Sequence, residues 1–188
     1  MKTMNLDSES RKNYKQIGLN NAYTLFVRNQ SCTLFKRTMA QGKLRRFVDF
    51  IFSKPSKLVS LSSEIQPQDT NTISDCGLQT VPLCMIIGSE NRCHDFDSQF
   101  APKSNHILDR WVRISDLILM DEMLPPVHLI RVGPYYFVRD GHHRISVAKA
   151  LRKEYIDACV TKYQLKGHAF DQLARNLFKF NQHSISVN

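Results

Sequence analysis

An α+β fold, in which helices pack on a mixed sheet behind a basic helical N-terminal arm, is the architecture that this sequence predicts. Three observations carry the prediction. Short apolar runs of strand length occur at residues 81–87, on both sides of Gly133-Pro134, and at 155–163. Between and after them lie stretches whose apolar residues recur every three or four positions, the spacing of helices with one buried face. The third observation is charge: residues 11–57 hold eleven Lys or Arg and one acid, Asp49, and supply the whole of the formal +9.

Taken in order, the arm comes first. Ala22, Leu25, Phe26 and Asn29 share one helical spacing, and Leu44, Phe47, Val48 and Ile51 share another. Two amphipathic basic helices are expected, separated near Gln41-Gly42, with the Ser, Pro and Lys of residues 53–64 as a linker. Residues 1–64 are thus arm and linker, and 65–188 the domain. The arm's charge suits phosphates of nucleic acid or, less well, an anionic membrane surface. The plainer alternative is a helical pair whose apolar stripe packs on the domain while its charges face water.

Residues 65–80 are polar and rich in turn formers, so they read as a connection. VPLCMII (81–87) reads as a buried strand ended by Gly88, and the loop 88–105 follows. From 106 to 123, Ile107, Trp111, Ile114, Leu117 and Ile118 form a helical stripe that Pro125 and Pro126 close. Trp111 is expected in the core. PVHLIRVGPYYFVRDG is a β-hairpin turning at Gly133-Pro134. A helix starts at HHRISVAKAL with Ile145, Val147, Ala148 and Leu151 toward the core. YIDACVTKY is a returning strand, and a last helix carries Leu173, Leu177 and Phe178.

Composition bounds the function. A chain of 188 residues, 42% hydrophobic with only 7 Gly and 7 Pro, buries a core without staples and is not low-complexity. No apolar run approaches the roughly 18 residues of a spanning helix, and MKTMNLDSESRKNYK lacks the apolar centre of a secretion signal. A cytoplasmic protein is expected, its five scattered cysteines reduced and used for packing. No GxxxxGK[ST], GxGxxG or GxSxG occurs, which removes the commonest nucleotide-binding and hydrolase motifs.

The chemistry concentrates where a strand runs through Asp140-Gly141 into a helix that begins His142-His143-Arg144. A helix start aims unpaired N–H groups and a positive dipole end at whatever lies over Gly141, which lets backbone approach closely. Arg144 offers a bidentate fork, and His142 and His143 offer donors or a proton. The plain alternative is that Asp140 caps the helix and the histidines bond at the surface. The loop Ser89-Glu90-Asn91-Arg92-Cys93-His94-Asp95-Phe96-Asp97 supplies candidates beside it. Arg92 is a second anion contact, Glu90 and His143 are acid–base candidates, and Asp95 and Asp97 are Mg²⁺ ligands. A transition-metal site from Cys93, His94, His142 and His143 lacks ligand spacing.

FVRDGHHRISVAKAL, with LPPVHLIRVG before it and IDACV after it, resembles the signature of the ParB/sulfiredoxin-like superfamily. VPLCMIIGSENR resembles the superfamily's earlier box, in which an apolar strand leads to an arginine, here Arg92. The resemblance covers about residues 80–163 and implies a phosphate-holding helix start that takes ATP, ADP or CTP, with Mg²⁺. Sulfiredoxins place a reactive cysteine where His142 stands, which disfavours sulfinic-acid reduction. Partition proteins of the ParB type have Gly-Glu-Arg-Arg there and continue into a DNA reader and a dimerisation domain, for which about 25 residues after Tyr163 leave no room. The match is to stand-alone members with Asp-Gly-His-His-Arg, among them ADP-dependent serine kinases and ParB-like nucleases. The resemblance therefore implies a nucleotide-phosphate-binding domain, with a small-molecule kinase or a nuclease as the enzymatic alternative.

Overall fold

The computed structural model describes residues 8–52, 56–91 and 93–182. Helix α1 (Ser8–Ile51) is followed by strand β1 (Val59–Ser60), the short α2 (Leu61–Glu64), β2 (Thr70–Pro82) and β3 (Ile86–Ser89). Then come α3 (Leu108–Leu119), β4 (Val127–Val132), β5 (Tyr135–Asp140), α4 (His142–Ala150), β6 (Tyr155–Leu165) and α5 (Gly167–Gln182). The six strands form one sheet in the order β1-β3-β5-β4-β6-β2. It is mixed: β4 pairs antiparallel with β5 and parallel with β6, and β3 runs parallel to both β1 and β5. This is the α+β class that the hydrophobic pattern predicts.

Alternation in the central strands builds two cores, one on each face of the sheet. Val127, Leu129 and Val138 point to the face covered by α1, α3 and α4, where Phe35, Trp111, Val112, Ile145 and Val147 meet them. Ile130, Val132 and Phe137 point to the other, against Leu61, Ile65 and Leu173 of α5. Trp111 is fully buried as expected, and its indole N–H donates to Ser146 Oγ of α4 at 2.8 Å.

Three expectations about elements are corrected. The arm is one helix that continues through Gly42, not two. Among the described side chains of α1 the buried positions are Val27, Ser31, Phe35 and Gly42, whereas Leu25, Phe26, Leu44, Phe47 and Ile51 of the expected stripe are exposed. Gly42 is there for close approach: a Cβ on it would sit 2.8 Å from Ala101 Cβ. Residues 70–80 are strand, not connection. They are polar because β2 is an edge strand bonded to β6 alone, with most side chains in water. Finally, 81–87 is not one strand. Val81 and Pro82 end β2, Leu83–Met85 make a 3₁₀ turn, and β3 starts at Ile86.

Helix α1 is docked on the domain. Phe35 meets Trp111 edge to face at 5.3 Å, Arg28 pairs with Asp116 of α3 at 3.0 Å, and Arg45 and Arg46 both reach Asp97, at 2.7 and 3.0 Å. Of the linker expected at 53–64, residues 53–55 lie outside the described residues, and 59–64 are β1 and α2 with Val59 and Leu61 in the core. Among the described residues no helix is long and apolar enough to cross a membrane.

Candidate functional site

The hairpin delivers the chain to the site. β5 ends at Asp140, Gly141 turns with φ +101° and ψ 20°, and α4 begins at His142. Only glycine is comfortable at that turn, because the φ is left-handed and a Cβ would lie 2.5 Å from Val127 Cγ1. The first bond inside α4 is Ile145 N–H to Gly141 O at 3.0 Å, so the N–H groups of His142, His143 and Arg144 precede it, and no side chain caps them. They open on a cavity of about 190 Å³ whose walls include Cys93, Asp95, Phe96 and Arg110.

Arg144 takes a role that its motif position did not predict. Nη2 bonds Asp140 Oδ2 at 2.6 Å, and Nη1 donates to the carbonyls of Pro125 and, at 2.9 Å, Pro126. Both terminal nitrogens are committed to protein oxygens and the side chain is mostly buried. The expectation of a free fork aimed at an anion is corrected: Arg144 braces the helix start against the 125–126 segment. Asp140 remains largely exposed.

The histidines are fixed as neutral groups. His142 Nε2 lies 2.8 Å from Ser89 Oγ, and its ring stacks parallel to Phe96. Ser89 has one proton, and with that proton on the Val138 carbonyl at 3.2 Å, His142 donates through Nε2–H. Burial lowers the pKa of His142. His143 packs edge-on against Phe96 at 5.2 Å, and burial, with the Arg110 charge adding to it, pushes its pKa down to about 4. His143 Nδ1 is buried with no hydrogen-bond partner among the described residues.

The other candidates separate. Asp95 lines the cavity but pairs with His106 Nε2 at 2.9 Å. Asp97 is corrected as a metal ligand: its side chain is fully buried, Oδ2 holds Arg45 and Arg46, and Oδ1 accepts from the backbone of Gln99 and Ala101. Glu90 is corrected as a partner of this site, because Arg139 clamps both its oxygens at 2.9 and 2.8 Å and it lines a different cavity with Leu61 and Tyr163. Arg92 lies outside the described residues. Cys93 faces the cavity, but burial raises its pKa, so the thiol stays protonated. Among the described residues no group of three His, Cys, Asp or Glu is placed to hold a metal ion.

Sequence reasoning missed three contributors: Arg110, Phe96 and Ser89. Arg110 is the cation with no ion pair among the described residues that faces this cavity. Nothing in its local pattern marks it, since it is one of several polar positions on the outer side of α3.

No family model and no curated protein matches this sequence. Among solved structures, the crystal structure of sulfiredoxin from Arabidopsis thaliana is similar over 57% of this chain and 98% of that one, at 16% identity and a TM-score of 0.33. That likeness assigns no activity.

Proposed function

We propose that the cavity at the start of α4 binds the phosphates of a nucleotide, ATP, ADP or CTP. The observation that carries this reading is the uncapped start of α4, three N–H groups opening beside Gly141 on a cavity that Arg110 also faces. His142 and His143, neutral at pH 7, add hydrogen-bonding capacity without the cost of a buried charge. At about 190 Å³ the cavity has room for phosphate groups and not for base and ribose as well, so the base lies outside it. The residues present do not make a cage for Mg²⁺: Asp97 is buried against arginines and Asp95 is paired, so no step here is routed through the ion.

The test is titration calorimetry of the full chain with ATP, ADP and CTP. Similar affinities for the three are expected, and Arg110→Ala should weaken each about tenfold, the equivalent of about 1.4 kcal/mol. Unchanged affinity in Arg110→Ala overturns the reading. One observation favours turnover as a second reading: His143 lines the cavity, and its buried Nδ1 has no hydrogen-bond partner among the described residues. Under that reading a hydroxyl or water gives its proton to His143 as its oxygen bonds to phosphorus, while the bond from phosphorus to the leaving oxygen breaks and the nucleoside phosphate or the cleaved strand end departs with the electron pair, as a kinase or nuclease requires. Phosphate release and nuclease assays on the same preparation, lost in His143→Gln, test it.

A further inference from the structure

A second cavity, of about 350 Å³, lies between α1 and the C-terminal half of α4. Its α1 wall is one helical face, residues 34, 37, 38, 41 and 45, and its α4 wall is Ser146, Lys149 and Ala150, with Arg152 just beyond. Four cations therefore face one space: Arg37, Arg45, Lys149 and Arg152. No carboxylate lines it. Asp97, the counter-charge of Arg45, has its oxygens already taken by two arginines and two backbone N–H groups.

The polar groups of this cavity are set and partly unused. Lys149 Nζ is held by the Ile86 carbonyl at 3.2 Å and sits 4.6 Å from the centre of the Phe100 ring. Arg45 is fixed by Asp97 through one terminal nitrogen, while its Nε is buried with no partner. Ser146 is fully buried and accepts from the Trp111 indole, so its own proton is given to no described protein group. Arg37 and Arg152 make no ion pair among the described residues. Burial pushes the Lys149 ammonium down to about 8, the Arg45 charge adding to the fall while Cys84 and Asp97 oppose it.

We infer that this cleft is an anion site for a pyrophosphate group, free or as the diphosphate of a nucleotide. Four positive side chains from two elements match a multiply charged anion better than a single carboxylate or chloride. Phosphate oxygens would accept first from the exposed, unpaired Arg37 and Arg152, with Arg45 Nε and Ser146 Oγ as further donors of this cleft that have no acceptor among the described residues. A concave space between two helices also suits a small anion, whereas a duplex presents its phosphates on a convex surface. The site is separate from the one at the start of α4, and it gives α1 a function in the domain, since the arm supplies half of its wall.

The test is calorimetry of the full chain with inorganic pyrophosphate and, in a separate arm, ADP. Arg37 and Arg152 are exposed and unpaired, so the double variant Arg37→Gln, Arg152→Gln should melt at the wild-type temperature without ligand. It is expected to bind pyrophosphate at least tenfold more weakly at this site, whereas Arg110→Ala leaves the site unchanged. Should the double variant not fold, either single variant carries the same expectation. If pyrophosphate alone binds, the source is free anion; if ADP binds with the same sensitivity to the double variant, it is nucleotide. Absence of nucleotide binding at the α4 start, with this site intact, would remove the proposed function and leave this inference standing. Pyrophosphate binding that the arginine variants do not change, or retention of duplex DNA with no binding of either small anion, overturns it.

Discussion

The two flanks of α4 carry similar residue types and use them differently. At the N-terminal flank the arginine of the motif is spent inside the protein, on Asp140 and two proline carbonyls, and the histidines are held neutral. At the C-terminal flank Arg37 and Arg152 have no counter-ion among the described residues, and they come from segments more than one hundred positions apart. One flank is dense in charge by sequence and offers mainly backbone donors. The other is marked in the sequence only by the general excess of Lys and Arg along the arm, and it offers free charge. The lesson is that a motif names a turn more reliably than it names the groups left available to a ligand, because a short-range ion pair is the cheapest use for an arginine beside an aspartate.

The largest effect expected from breaking this contrast lies at Asp97, which fastens α1 and thereby builds the C-terminal flank. Asp97→Ala leaves Arg45 and Arg46 facing each other without their shared carboxylate and frees two backbone N–H groups, so a stability loss of about 3–5 kcal/mol is expected in urea denaturation. A loss under about 1 kcal/mol would mean that the packing of Phe35 on Trp111 holds the arm. Next comes Arg144→Ala, which should cost about 1–2 kcal/mol, because Asp140 and the Pro125 carbonyl turn to water and the loss falls on the half-buried Pro126 carbonyl and on the packing of the side chain. Arg144→Lys should recover little of this, since one ammonium cannot serve both sides. Unchanged stability with weakened nucleotide binding would show that Arg144 acts on the ligand, and the contrast between the flanks would vanish.

The sequence was most legible where local chemistry and tertiary role coincide. Gly133-Pro134 set the hairpin, Gly141 set the turn into α4, and the periodicity around Trp111 set α3, each because one residue type satisfies both the local backbone and the packing. β2 was illegible because an edge strand with both faces wet carries no alternation. α1 was misread for the opposite reason: its outward side is the apolar one, and its buried side holds Ser31 and Gly42, small residues that let the helix come close to its support. The site followed the same rule. Residues 140–144 were legible as a helix start, but Arg110 and the cleft on the other flank depend on which helix faces lie together, and no spacing within one segment encodes that.

The smallest expected effect sharpens the contrast most, because it reports whether the histidines of the N-terminal flank are truly uncharged. His143 has a folded pKa of about 4 against an ordinary 6.5, so the unfolded chain takes up the proton first as acid is added. The contribution to stability is intact above pH 6.5 and is lost as pH falls toward 4. Because His143 is only partly buried, the loss between pH 7 and pH 5 is about 1 kcal/mol, well short of what full burial would give. His142, lowered in the same direction, contributes to the same slope, so the comparison needed is between wild type and His143→Gln in urea denaturation at the two pH values. The variant should lose less stability than wild type on acidification. Saturating phosphate should shrink the wild-type loss as well, since an anion over the start of α4 stabilises the imidazolium and raises its pKa. An equal loss in both proteins, unmoved by phosphate, would show that His143 already ionises near its ordinary pKa, and the histidines would then add charge to that of Arg110.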